Sequence, residues 1–255
     1  MKAEPGIHVF HDQAALFQST ATIISDIANA AVAERGRFTF VLSGGSSPKG
    51  LFTLLASDAS PSLPWEKTYF FWGDERHVPP DNADSNYRMA RETLLSRISA
   101  RTDQIFRVSS EDASADNAAR SYEEAIKAFF NLSGGELPRF DLVLLGMGPD
   151  GHTASLFPNS RALQEDKRLV VANWVENLKT DRITMTFPVL NNAASVIFLV
   201  TGAEKASVLK EVLEDSAREY PAQKIRPTAG KLLWMLDESA ASDLLPQTLA
   251  GSAKP

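Results

Sequence analysis

Short apolar runs recur along the chain, each parted from the next by a segment of helical or loop character. They fall at 7–10 (IHVF), 37–42 (RFTFVL), 67–72 (KTYFFW), 140–146 (FDLVLLG), 168–175 (RLVVANWV), 182–187 (RITMTF), 195–201 (SVIFLVT) and 231–236 (KLLWML). Several are apolar almost throughout, as strands buried on both faces are. Between them lie amphipathic segments. Residues 12–35 put Leu16, Ile23 and Ile27 on one stripe, and residues 115–131 carry Tyr122, Ile126 and Phe129 or Phe130. Residues 203–214 carry Val208, Leu209, Val212 and Leu213, the i, i+1, i+4, i+5 pattern of a helix lying on a sheet. Residues 85–98 bring Met89, Leu94 and Ile98 together less regularly. Such alternation predicts βαβ units, hence an α/β fold with a mostly parallel sheet and helices on both faces. No internal repeat or linker divides the chain. The expectation is a single domain over 1–255, with room for a small insertion between 158 and 190, and a frayed tail after about Leu245.

Composition narrows the function classes. The chain has 255 residues, 44% of them hydrophobic, which permits a sizeable core. With 26 Lys+Arg against 32 Asp+Glu the formal charge is −6, which argues against nucleic acid as a partner. An anionic ligand would need a local positive pocket. The absence of cysteine excludes disulfides, thiolate metal sites and a cysteine nucleophile. No stretch approaches 18 apolar residues, so no membrane span is expected, and the N-terminus has no apolar run of signal-peptide length. The expected location is the cytoplasm.

In parallel sheets, ligands bind beyond the carboxyl ends of the strands, so the loops after the apolar runs carry the chemistry. After 37–42 comes SGGSSPKG. Gly44 and Gly45 allow a tight turn, Ser47 suits a helix cap and Pro48 a first helical position, which together make an anion site at a helix N-terminus. The run matches neither a nucleotide P-loop nor a nucleophile elbow. After 67–72 comes GDERHVPPDNADSNYRMA, which crowds Asp74, Glu75, Arg76 and His77 behind one strand; its bland alternative is a solvated, salt-bridged loop.

After 140–146 comes GMGPDGHTASLFP, where Gly146, Gly148 and Gly151 surround Asp150 and His152. Histidine is matched to proton transfer near neutral pH, and Asp150 can orient the imidazole or else cap a short helix at Thr153–Phe157. After 195–201, Thr201-x-x-Glu204 reads as a capping box that places Lys205 in a first helical turn. A cation there opposes the helix dipole, a conflict that an anionic ligand would resolve. Arg182, read as opening its strand, offers a guanidinium fork for phosphate. The segment 222–237 reads as a turn into a terminal strand with a structural role.

Together, LSGGSSPKGLF, FFWGDERHVPPDNADSNYRMA, DLVLLGMGPDGHTASLFP, RITMTFPVLN, TGAEKASVLKEVL and KIRPTAGKLLWMLD resemble, in order and across nearly the whole chain, the 6-phosphogluconolactonase family. That family is related to glucosamine-6-phosphate deaminase and sugar-phosphate isomerases. The resemblance implies a three-layer α/β/α, modified Rossmann-like fold. It also implies hydrolysis of 6-phosphoglucono-δ-lactone to 6-phosphogluconate in the oxidative pentose phosphate pathway, with no metal and no organic cofactor. It assigns the catalytic histidine to His152, with Asp150 orienting it. Phosphate binding falls to Lys205, Arg182 and the turn Ser43, Gly44, Gly45 and Ser46, and the GDER motif supplies Asp74 and Arg76. In the implied route His152 takes a proton from water attacking the lactone carbonyl, and Arg76 or glycine-loop N–H groups offset the oxyanion. Two other readings share these residues. An isomerase or deaminase would use Asp74 as base, although the deaminases lack TASLFP after their DGH. A non-enzymatic sugar-phosphate sensor would keep the pocket without the chemistry.

Overall fold

The computed structural model describes residues 6–250, apart from 99 and 216. Each apolar run becomes a strand, with bounds shifted by a few residues: β1 (Gly6–Phe10), β2 (Phe38–Leu42), β3 (Thr68–Trp72), β5 (Leu142–Leu145), β6 (Val170–Val175), β7 (Thr180–Met185), β8 (Ser195–Val200) and β9 (Lys231–Asp237). One more strand, β4 (Asp74–Arg76), has no apolar signal and exists through its pairing with β7. The helices are α1 (Gln13–Arg35), α2 (Ser46–Leu55), α3 (Asn86–Ala90), α4 (Ala115–Phe130), α5 (Phe187–Asn191), α6 (Ala206–Glu214) and α7 (Pro246–Ala250). Of the expected frayed tail, 246–250 form α7 and the rest lies outside the described residues.

Six strands form a parallel sheet in the order β1-β9-β8-β5-β2-β3. Side chains alternate across it, and the core divides along that period of two. Phe38, Phe40, Leu42, Phe70, Trp72, Leu142, Leu144, Ile197 and Leu199 pack on one face with α1 and α2. Val41, Phe71, Val143, Leu145, Val196, Phe198 and Val200 pack on the other with α4, α6 and the second sheet. The result is a three-layer α/β/α architecture. The runs at 168–175 and 182–187 leave the parallel sheet and form, with β4, an antiparallel sheet ordered β4-β7-β6. Their connection spans only Glu176–Lys179, too short for a parallel crossover, so they pair as a hairpin.

Local expectations shift where tertiary partners compete. Helix α1 is capped by Asp12, whose Oδ1 accepts from Ala15 N–H at 2.8 Å, and ends at Gly36 with φ 72°. Its fully buried stripe runs through Leu16, Ile24 and Ala28, leaving Ile23 and Ile27 half-buried at the margin. The 85–98 segment breaks into α3 and a π turn over Arg91–Leu95, consistent with its irregular apolar spacing. Ser47 does not cap α2: the N-cap is Gly45, and the Ser47 hydroxyl shares a 2.6 Å hydrogen bond with Thr201 Oγ1. With Thr201 so engaged, the capping box does not form. A 3-10 turn over Ala203–Lys205 precedes α6, and Lys205 itself is the N-cap. No helix forms over Thr153–Phe157; Thr153 and Leu156 make an isolated bridge. Arg182 is the third residue of β7 rather than its first.

Candidate functional site

From the β2/β5 pair the chain grows outward in both directions, β3 lying on one side and β8, β9 and β1 on the other. Such a switch point leaves a crevice at the carboxyl ends of the strands. The pair is clamped at its start, where Asp141 accepts from Thr39 N–H (2.8 Å), Thr39 Oγ1 (2.7 Å) and Arg35 (2.6 Å). At the opposite end lies a cleft of about 840 Å³. The residues that the resemblance assigns to the site all line it: Ser43, Gly44, Gly45, Ser46, Asp74, Arg76, Asp150, His152, Arg182 and Lys205; Glu75 and His77 do not.

On one wall His152 Nδ1 lies 2.5 Å from Asp150 Oδ1, so the aspartate holds the imidazole instead of capping a helix. A carboxylate acceptor at Nδ1 selects the tautomer whose Nε2 carries the lone pair. Among the described residues Nε2 has no hydrogen-bond partner. The ring stacks on Phe157, with centroids 4.1 Å apart and planes at 29°. A Cβ on Gly148 would collide with the ring's Cε1 and Nδ1, so glycine alone leaves room for the imidazole there. Partial burial opposes ionisation of Asp150, but the hydrogen bond and charge of His152 outweigh it and hold the carboxyl below its ordinary range.

The cleft is also lined by three cations, Arg76, Arg182 and Lys205. In the β4–β7 register Arg76 stands directly opposite Arg182, and Asp74 opposite Thr184. Like charges directly opposite are unfavourable in a sheet. Arg76 is tied to the Asp84 carbonyl, whereas Arg182 has only marginal contacts, 3.5 Å to Thr180 Oγ1 and 3.4 Å to the Asp181 carbonyl. Burial first, then the Arg76 charge, depress the Arg182 pKa from its ordinary value against the pull of Asp74, Asp84 and Glu75. The Lys205 ammonium, among the described residues, has no hydrogen-bond or ion-pair partner, while its backbone N–H donates to the Gly202 carbonyl at 3.1 Å. At the mouth of α2 the first helical bond runs from Lys49 N–H to the Gly45 carbonyl at 3.1 Å, leaving the N–H groups of Ser46 and Ser47 unused by the helix. Three cations and a helix mouth therefore converge on one cleft in an acidic protein.

The GDER segment is no solvated loop. Glu75 is buried and accepts from Arg76 N–H at 2.8 Å, Asn86 N–H at 2.7 Å and Tyr87 N–H at 2.7 Å, and from Ser85 Oγ at 3.2 Å. Burial dominates over these bonds and raises its pKa. Glu75 thereby brings the start of α3 to the cleft, where Asn86 Nδ2 donates to the Asp74 carbonyl at 3.0 Å. Asp74, 7% exposed, accepts from Ser155 Oγ at 2.6 Å. His77 is engaged elsewhere, its Nε2 donating to the Asp112 carbonyl at 2.7 Å. Sequence reasoning passed over Asn86, Ser155 and the β6–β7 turn, where Trp174 and Leu178 stand exposed at the rim. The signal for Asn86 and Ser155 was their place inside the GDERHVPPDNADSNYRMA and DGHTASLFP motifs, whose charged residues and histidine drew the reading instead; the turn had none.

The α/β fold thus gathers a histidine–aspartate pair, three cations and a helix mouth in one cleft at the carboxyl ends of its parallel strands. Comparison with known proteins identifies the family. The chain belongs to the glucosamine-6-phosphate isomerase/6-phosphogluconolactonase family, whose model matches residues 11–234. It is 44% identical over 241 residues to a 6-phosphogluconolactonase of Nostoc, covering 93% of this chain and 98% of that protein. It is 41% identical over 244 residues to one of Synechocystis, covering 95% and 99%. Among solved structures, the 6-phosphogluconolactonase of Trypanosoma brucei superposes with a TM-score of 0.85 at 32% identity, covering 95% of this chain and 99% of that one. That of Trypanosoma cruzi gives 0.84 at 32%, covering 96% and 98%. Among the described residues, no helix is long and apolar enough to cross a membrane.

Proposed function

We propose that this protein hydrolyses 6-phosphoglucono-δ-lactone to 6-phosphogluconate in the oxidative pentose phosphate pathway. The reaction belongs in the cytoplasm, where their charge retains sugar phosphates. The observation that carries the reading is the His152–Asp150 pair, 2.5 Å apart in a cleft that Arg76, Arg182 and Lys205 also line. The names of the relatives point the same way.

His152 Nε2 accepts a proton as water attacks the lactone carbonyl carbon. Asp150 holds the ring and offsets the imidazolium that forms. The tetrahedral intermediate collapses with cleavage of the bond to the ring oxygen, which takes the proton back from the imidazolium. A lactone is an activated ester, so no covalent nucleophile is required.

Arg182, Lys205 and the Ser43–Ser46 turn hold the phosphate. Arg76, opposite Arg182 in the register, adds its charge to the same cleft and to the oxyanion, alongside glycine-loop N–H groups. The isomerase alternative would use Asp74 as base, and the hydrogen bond from Ser155 to its Oδ2 lowers its basicity without removing Oδ1.

The test is acid release from freshly made lactone with spontaneous hydrolysis subtracted. Wild type should turn it over, His152→Ala should fold and lose roughly 10²–10⁴-fold in kcat, and unphosphorylated gluconolactone should show a much lower kcat/KM. A folded His152→Ala with normal kcat sinks the mechanism. Ammonia release from glucosamine 6-phosphate would favour the deaminase reading, and binding of the lactone without turnover the sensor.

A further inference from the structure

The turn that carries Asp150 and His152 is held from below by a segment that the proposed mechanism does not use. Gly151, between them, has φ +73°, and the Tyr220 ring fills the space where a Cβ would stand. The Gly151 carbonyl accepts from Ala222 N–H at 3.0 Å, so the turn is pinned by backbone as well as by the ring. Tyr220 is itself braced. Its hydroxyl donates to Glu211 Oε2 in α6, which also accepts from Arg218 at 2.9 Å. Its N–H donates to Gln223 Oε1 at 2.8 Å, and Gln223 Nε2 returns to the Glu211 carbonyl at 3.1 Å. The ring is thus fixed at both ends to the helix whose N-cap is Lys205.

We propose that Tyr220, anchored by Glu211, is a positioning residue for His152: by filling the space beneath Gly151 it sets the left-handed turn that brings the imidazole onto Asp150. A dyad held by two adjacent loop residues is as precise as the turn between them. Displacements of about 1 Å at a reacting group cost on the order of 10²-fold in rate. The inference rests on the lactonase reading for its kinetic consequence only.

The test uses Tyr220→Ala, Tyr220→Phe and Glu211→Gln in the full chain, with two readouts. Tyr220→Ala should lower kcat by roughly 10–100-fold at nearly unchanged KM, since misplacement of the base touches the transition state and not phosphate binding. Tyr220→Phe, which keeps the ring and removes its hydroxyl, should lower kcat by less than tenfold, about 3-fold, and Glu211→Gln, which keeps an acceptor for the hydroxyl but loses the charge, by less than that. In parallel, the His152 ring signals are followed by NMR, assigned by their loss in His152→Ala. They should move toward those of an unconstrained imidazole in the order Ala, then Phe and Gln. Folded Tyr220→Ala with normal kcat and unmoved His152 signals overturns the proposal, as does a rise in KM alone. If Tyr220→Ala does not fold, the two conservative variants decide on the same readouts. If wild type fails to outrun spontaneous hydrolysis, the lactonase reading falls while the His152 signals still decide the role of Tyr220.

Discussion

At Lys205 the demands of binding and of stability pull apart. Lys205 stands at the N-cap of α6, the positive end of the helix dipole, with no side-chain capping bond, and its ammonium has, among the described residues, no counter-charge. Lys205→Ala should therefore leave the empty protein as stable as wild type or slightly more so, while weakening the lactone by about 1.5–3 kcal/mol. That is a rise of roughly 10- to 150-fold in KM. Normal kinetics with a lower Tm would make Lys205 structural and move the phosphate site. Asp150 works in the opposite sense. Its carboxyl is held below the ordinary aspartate range in the folded state, so its contribution is present above the unfolded value and is lost as pH falls through the folded one. Asp150→Asn should flatten that part of the acid-side decline of Tm, measured between about pH 5 and 2, and lower kcat at neutral pH. An unchanged acid profile would mean that the pair contributes nothing to the fold.

At the level of elements, the second sheet and α3 are brought to the cleft by buried polar contacts rather than by apolar periodicity. Glu75 is the hinge pin: its two oxygens meet three backbone N–H groups and a hydroxyl. In Glu75→Gln one oxygen becomes an NH2 facing an N–H, which leaves a buried donor unpaired and should cost roughly 1–3 kcal/mol. The pH dependence carries a second signature. With its folded pKa raised by burial, wild type binds the proton more tightly folded than unfolded. Its stability therefore declines as pH rises from the ordinary glutamate range through the raised value, and levels off above it. Glu75→Gln lacks that decline, which denaturant melts at a series of pH values would show; a parallel profile in the variant would refute the assignment. The sequence showed these elements unevenly. The runs at 168–175 and 182–187 were plain as strands, but their sheet was not, because an apolar run reads alike in either. β4, Asp-Glu-Arg, had no strand pattern to read.

Over the whole molecule, the phosphate site proposed for the cleft links ligand binding to global stability. A ligand that binds only the folded state adds about 2.7 kcal/mol at 100 times its Kd. For a chain of this size that is a rise of roughly 5–10 °C in Tm. The product 6-phosphogluconate should produce such a rise and gluconate should not, in a thermal-shift titration at fixed salt. Equal shifts from both would remove the phosphate from the cleft. Part of the candidate site was legible because Ser43–Gly45, Asp150, His152 and Lys205 follow parallel strands directly, where glycine, serine and charge interrupt apolar runs, whereas Asp74, Arg76 and Arg182 lie on strands of the second sheet. Parallel order then carries all those loops to one edge.

Some features follow from the chain alone because they are local: the strand periodicity, the helical stripes of α4 and α6, the glycine turns, and a histidine two residues from an aspartate. Others required the folded molecule because they are choices among distant partners. Ser47 could cap its own helix or meet Thr201; Thr201 could reach Glu204 or Ser47; Arg76 could face solvent or Arg182. Each alternative is worth about one hydrogen bond, so the winner is decided by which strands lie side by side. That order, β8 and β2 flanking β5 with β4 laid against β7, is set by long-range packing that no stretch of local sequence encodes.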